Sequence, residues 1–274
     1  MATSRETWRL LIDPACDGAA NMAIDEAILE AVGRGDAPPT LRLFRWAPAC
    51  LSLGYAQPAS DADRERLDSH GWHLVRRMTG GKAILHTDEL TYSVALPMDH
   101  ALVAGTIPES YQRLSMALLA ALHEIGVDAH ADKRLGVASA PVGPVCFEVP
   151  SDYEITAGGK KLIGSAQVRK HNGALQHGSI PLCRDVSRIC EGLVFMDEAS
   201  RQKARERVLE RATTLGDALG RSVSWDEVAQ AVSHSFSETF NVMLIDSTLT
   251  SGEAKRALEL RETRYADDSW TLKL

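Results

Sequence analysis

No run of apolar residues in the 274-residue chain reaches the roughly 20 needed to cross a bilayer, and the start Met1-Ala2-Thr3-Ser4-Arg5-Glu6 lacks the apolar stretch of a signal peptide. The protein is expected to stay cytoplasmic and away from membranes. Cysteines are few and scattered: Cys16, Cys50, Cys146, Cys183 and Cys190 are odd in number and form no CxxC pair, which argues against a zinc site or a disulfide framework. An excess of positive charge is also missing. Lys and Arg total 30 against 37 Asp and Glu, a formal net charge of −7, so no global field draws the chain to nucleic acid. Any anionic partner must be held by local charge. Internal repeats and low-complexity tracts are absent too.

What remains is ordinary globular composition, 45% hydrophobic and 24% charged, enough for one principal domain over 1–274. Asn21 is a candidate cap for a helix in which Ile24, Ile28, Ala31 and Val32 recur at helical spacing until Gly33 and Gly35. Short β-rich runs follow at 40–46, 51–55, 72–77 and 91–96. From Pro108, the residues Tyr111, Leu114, Leu118, Leu122 and Ile125 give a second long helix, stopped by Gly126. Residues 127–145 read as a surface loop leading to Cys146. Runs at 152–156, 161–169 and 174–182 read as a β-meander, joined at Gly158-Gly159 and His171-Asn172-Gly173. Beyond Cys183 the chain reads as helical, at 198–219, 226–240 and 252–262, with apolar faces that need the sheet for burial. The expected class is α/β (α+β): a mixed, largely antiparallel sheet flanked by helices, sheet-rich over about 35–185 and helical over about 186–274.

Three segments carry candidate chemistry. In Arg76-Arg77-Met78-Thr79-Gly80-Gly81-Lys82, adjacent glycines let backbone N–H groups approach a ligand while Arg77 and Lys82 supply charge, although Arg76 and Ala83 break the P-loop pattern. In Gly158-Gly159-Lys160-Lys161-Leu162-Ile163-Gly164-Ser165-Ala166-Gln167, strand alternation places Lys161, Ser165 and Gln167 on one face. In Pro144-Val145-Cys146-Phe147-Glu148-Val149-Pro150, a cysteine between prolines is a candidate nucleophile if a cation lowers its pKa. Composition alone favours the plainer readings: a glycine turn, a soluble hairpin tip and an inert thiol. His86 and His177 are candidate acids or bases, with structural roles the commoner case.

Taken in order, RRMTGGKAILH (76–86), ELTYSV (89–94), CFEVPSDYEI (146–155), GKKLIGSAQVR (159–169) and LQHGSIPL (175–182) resemble the biotin/lipoate-protein ligase and octanoyltransferase superfamily. The similarity runs from ETWRLL and NMAIDEAIL near the start to YADDSW near the end. It implies a class II biotin/lipoate ligase-like catalytic domain and a choice between two chemistries, ATP-dependent acyl-adenylate formation and cysteine-dependent octanoyl transfer.

The segments around Cys146 and Lys161 resemble the second kind. Ligases tend to carry a third glycine where Lys82 stands, and many continue past the tryptophan motif, whereas this chain ends four residues after Trp270. The resemblance implies Cys146 as acyl-thioester nucleophile and Lys161 as the cation beside it. It also implies an acyl slot near Arg77, Gly80, Gly81, His86 and Ser165, and neither cofactor nor metal. The implied partners are octanoyl-acyl carrier protein as donor and an apo lipoyl domain, of the glycine cleavage H protein or a dehydrogenase E2 subunit, as acceptor. The alternatives are an ATP-dependent lipoate-protein ligase and a non-catalytic docking factor.

Overall fold

Fully buried strands need cover on both faces, and this requirement organises the fold. A computed structural model describes residues 5–132 and 154–274 of the chain. Its strands are β1 (Glu6–Ile12), β2 (Thr40–Phe44), β3 (Cys50–Leu53), β4 (His73–Arg76), β5 (Ile84–His86), β6 (Glu89–Pro97), β7 (Ala129–Asp132), β8 (Glu154–Ala157), β9 (Lys160–Lys170), β10 (Gly173–Pro181) and β11 (Val242–Asp246). Eight form one sheet in the order β11-β1-β2-β6-β10-β9-β8-β7, and β4-β3-β5 form a smaller one. Among the described residues, only the β11/β1 and β1/β2 pairings of the large sheet are parallel. The mixed, largely antiparallel α/β class is as expected, and β8 to β10 make the meander.

The helices are α1 (Gly18–Arg34), α2 (Arg64–Ser69), α3 (Ile107–Glu124), α4 (Glu198–Arg211), α5 (Leu215–Leu219), α6 (Trp225–Phe240), α7 (Ser251–Leu260) and α8 (Asp268–Thr271). On one face of the large sheet, α3 and α6 bury Leu114, Leu118, Val232 and Phe236 against Leu41, Tyr92, Val94 and Ile180. On the other, α1 and α7 bury Ile28, Leu29, Ala257 and Leu260 against Leu11, Phe44, Ala95 and Leu175. Helix α4 joins the small sheet through Ala204 and Val208, in a cluster with Leu51, Leu53 and Leu193.

Four sequence expectations are corrected. Helix α1 is capped by Asp17, whose carboxylate accepts from the Ala20 N–H, while Asn21 lies inside the helix and donates to the Cys16 and Arg45 carbonyls. The 127–145 stretch begins with a strand, β7, and its remainder from 133 lies outside the described residues. The C-terminal part is not all helical, since β11 pairs with β1 at the sheet edge. The 198–219 helix is broken at Ala212–Thr214, where the Thr213 N–H donates to the Lys161 carbonyl at 3.0 Å.

Candidate active site

Strands β6 and β10 pair in register, His177 opposite Ser93 and Ser179 opposite Thr91, so their odd-numbered side chains share the α1 face. Beyond the apolar pair Ala95 and Leu175 these are polar and buried: Glu89, Thr91, Ser93, His177 and Ser179. Buried polar atoms must find partners, and here they find one another. The Glu89 carboxylate accepts from the hydroxyls of Thr91 and Ser179, each at 2.5 Å, and lies 2.6 Å from His86 Nδ1. Burial pushes the Glu89 carboxyl up, but the His86 charge and these hydrogen bonds outweigh it and leave its pKa below the ordinary value. An ionised Glu89 makes Nδ1 the donor, so His86 Nε2 meets the Ser52 hydroxyl at 2.8 Å. The Trp46 indole stacks on the His86 ring, centroids 3.9 Å apart, and donates to Thr91.

A second network lies beside it. Arg42, fully buried, bridges Asp13 and Asp25, and Asp25 also accepts from Ser93 and lies 3.3 Å from His177 Nδ1. Burial, reinforced by the charges of Arg77 and His86, holds the His177 imidazole below its ordinary pKa against the pull of Asp25. The neutral ring donates from Nδ1 to Asp25 and accepts at Nε2 from the Thr79 hydroxyl, 2.7 Å away.

These networks wall a narrow cavity of about 40 Å³ lined by Met22, Trp46, Ile84, His177, Gly178 and Ser179, together with Arg77, Gly81, His86, Gly164, Ser165 and Thr91. Because the polar atoms are engaged with each other, the walls offer a ligand mostly carbon. The glycine loop closes one side: Gly81 has φ +92°, and a Cβ on Gly54 would lie 1.9 Å from the Gly81 carbonyl, so the two backbones touch where only glycine fits. Arg77 does not hold its charge ready for a ligand anion. Its guanidinium donates to the carbonyls of Ser52, Gly80 and Lys82 and braces the loop from inside. The loop is tied to the C-terminus as well, since Trp270 Nε1 donates to the Arg76 carbonyl and Arg76 Nε to that of Thr271.

Lys161 is buried, and its ammonium lies 2.8 Å from Glu154 across the β8/β9 hairpin. The pairing jumps from Ile155–Ile163 to Thr156–Lys161, which leaves Leu162 as an extra residue, a bulge that alters the alternation. Lys161, Ser165 and Gln167 therefore do not share a face. Ser165 accepts from the Tyr92 hydroxyl and Gln167 donates to Ser110, both toward α3. The Lys161 ε-carbon instead lies 3.7 Å from where Gly164 would carry a Cβ, on the cavity side.

Of the residues singled out from sequence, Arg77, Gly81, His86 and Ser165 line the cavity, Lys161 is not a lining residue but brings its ε-carbon beside Gly164, which is, and Gly80 sits in the bordering loop. Cys146 lies outside the described residues. Glu89, Asp25, Arg42 and Trp46 were missed, although the period-two polar stripe in Glu89, Thr91 and Ser93 is a legible sign of a buried polar face. Among the described residues, Glu26, Glu30 and His171 approach one another closely enough to suggest a cation, but Arg264 and Arg256 already neutralise the two carboxylates.

Residues 17–237 match the lipoyl protein ligase A/B catalytic domain, and the chain belongs to that family. Octanoyltransferase LipM of Moorella thermoacetica is 43% identical over 267 residues, 97% of each chain. Octanoyltransferase LipM of Oceanobacillus iheyensis is 39% identical over 269 residues, again 97% of each. In fold, the chain is similar to the bipartite lipoate protein ligase of Thermoplasma acidophilum, with TM-score 0.82 and 26% identity over 97% of this chain and 96% of that one. It is also similar to a lipoate-protein ligase A bound with ATP, with TM-score 0.79 and 28% identity over 98% and 99% of the two chains.

Proposed function

We propose that the chain transfers an octanoyl group from octanoyl-acyl carrier protein to the lysine of an apo lipoyl domain, a step of lipoate biosynthesis. The observation that carries this reading is Lys161: a buried ammonium whose ε-carbon lies beside Gly164 of a carbon-walled cavity, in a chain 43% identical to an octanoyltransferase over 97% of both. The Cys146 thiolate attacks the donor thioester carbonyl, and the tetrahedral oxyanion is held by the Lys161 ammonium and backbone N–H groups. The carrier thiol leaves. The acceptor amine, once deprotonated, then attacks the Cys146 thioester, forming the amide and returning the thiolate. The first exchange is nearly isoenergetic and the second downhill, so ATP has no task in the cycle. Met22, Trp46, Ile84, Gly164 and His86 flank the tail. The acceptor is a glycine cleavage H protein or an E2 subunit, and the setting is the cytoplasm.

The fold neighbours named as ligases make ATP-dependent acyl activation the second reading. Arg77, spent on the carbonyls of its own loop, counts against an adenylate cradle there. Incubation with octanoyl-carrier protein and an apo lipoyl domain, with and without ATP, separates the two. Equal octanoylation without ATP is expected, whereas a strict ATP requirement rules the transferase reading out.

A further inference from the structure

Glu89 stands on β6 of the large sheet, yet its carboxylate reaches the small sheet through a chain of side chains. It lies 2.6 Å from His86 Nδ1 on β5, His86 Nε2 lies 2.8 Å from the Ser52 hydroxyl on β3, and Arg77 Nη1 donates to that hydroxyl at 3.2 Å. All four residues are buried. Arg77 in turn holds the glycine loop, donating from Nη2 to the carbonyls of Gly80 and Lys82, each at 2.8 Å. A carboxylate on one sheet is thereby joined to a loop between two strands of the other.

One arrangement gives each proton of the chain an acceptor within it. Arginine only donates, so the Ser52 oxygen accepts from Arg77 and has its own proton to give. His86 Nε2 takes that proton when it is bare, which puts the ring proton on Nδ1, facing Glu89. An ionised Glu89 keeps it there, because a carboxylate only accepts and this one already takes the hydroxyl protons of Thr91 and Ser179. Without the Glu89 charge, Nδ1 loses its reason to hold the proton, Ser52 loses its acceptor, and Arg77 loses a fixed partner.

From this chain we infer that Glu89 is a positioning residue for the glycine loop, acting through His86, Ser52 and Arg77. Arg77, Gly81 and His86 are part of the cavity wall and Glu89 is not, so its influence on the reaction passes through them. The inference rests on the acyl-transfer reading above. Misplacing a reacting group by about 1 Å costs on the order of 10²-fold in rate, so a loop that slackens slows the chemical step.

The test compares wild type, Glu89→Gln, Ser52→Ala and the double variant by intact mass during single-turnover loading from octanoyl-pantetheine at several concentrations. Each single substitution is expected to slow maximal loading by about 10-fold to 10²-fold, the scale of a displaced reacting group. The half-saturating concentration should move less than about twofold, since binding contacts are kept. Both substitutions break one chain, so the double variant should be no slower than the slower single, whereas two unrelated structural losses multiply. Nitrogen-15 spectra of histidine-labelled protein, with His86→Gln to assign the resonances, should place the His86 proton on Nδ1 in wild type and release it from there in Glu89→Gln. Losses that multiply, a Glu89→Gln protein that loads at the wild-type rate, or a wild-type His86 protonated on Nε2 overturns the assignment. Should Glu89→Gln fail to fold, Ser52→Ala and the wild-type tautomer decide it. If wild type takes up no octanoyl group at all, it is the acyl-transfer reading that fails, and the tautomer still judges the chain.

Discussion

The two faces of the large sheet differ in kind although they are made by the same strands. Even-numbered residues of β6 and β10, such as Leu90, Tyr92, Val94 and Ile180, enter an apolar layer with α3 and α6. Odd-numbered ones, Glu89, Thr91, Ser93, His177 and Ser179, enter the ion-paired layer that borders the cavity. A period-two chain can thus divide stability and chemistry between adjacent residues. Changes on the α3 face should alter folding without altering selectivity, whereas changes on the other should reach the cavity.

The sharpest way to break this division is Lys161→Met. Loss of one oxyanion donor should slow octanoyl transfer by about 10²–10³-fold in single-turnover assays. Removing only one member of a buried pair takes the Lys161 charge away from Glu154, so the pair variant Lys161→Met/Glu154→Leu keeps stability separate from chemistry. Transfer at near wild-type rate in either variant would place the catalytic centre elsewhere.

On the apolar face, Phe236→Ala should lower unfolding free energy by about 3–5 kcal/mol in denaturant titrations. The ratio of octanoyl to acetyl loading should stay put. A shift in that ratio would mean the faces are coupled.

A smaller effect belongs to His177. Its folded pKa is depressed below the unfolded value of about 6.5, so between the two the unfolded chain binds more protons and stability rises with pH. The His177 contribution is complete above that unfolded value and is lost as pH falls toward the folded one. Asp25 and Glu89, both depressed, lose theirs at lower pH, below the unfolded carboxylate range. His177→Gln should therefore flatten the melting temperature between pH 7 and pH 5.5 on the scale of the unfolded pKa. An unchanged slope would remove His177 from the account. Smallest of all, Cys183→Ala, at an exposed thiol, should leave melting and transfer unchanged.

Much of this organisation is legible in the sequence because it is periodic. Helices α1, α3 and α6 and the β8–β10 meander follow from 3.6- and 2-residue repeats with glycine or asparagine at the turns. What resists reading is set by partners distant in the chain. Strand β11 is a five-residue run between helices whose pairing with β1 spans the chain. The break after α4 exists because the Thr213 N–H meets the Lys161 carbonyl. The Leu162 bulge turns Lys161 away from Ser165 and Gln167, against strict alternation. At the site, Lys161, Arg77 and His86 stand out by type and motif, but that Arg77 serves its own loop needs coordinates.

The central claim is a covalent acyl-enzyme on Cys146, and intact mass after exposure to octanoyl-acyl carrier protein tests it most directly. Wild type should gain one octanoyl group and pass it to an apo lipoyl domain without ATP, while Cys146→Ala should gain none and transfer none. Cys146→Ser, with the same geometry but a far less acidic group, should load slowly and hold the acyl group as an ester. Octanoylation of the lipoyl domain by Cys146→Ala at near wild-type rate would contradict the account and leave the ATP-dependent reading in its place.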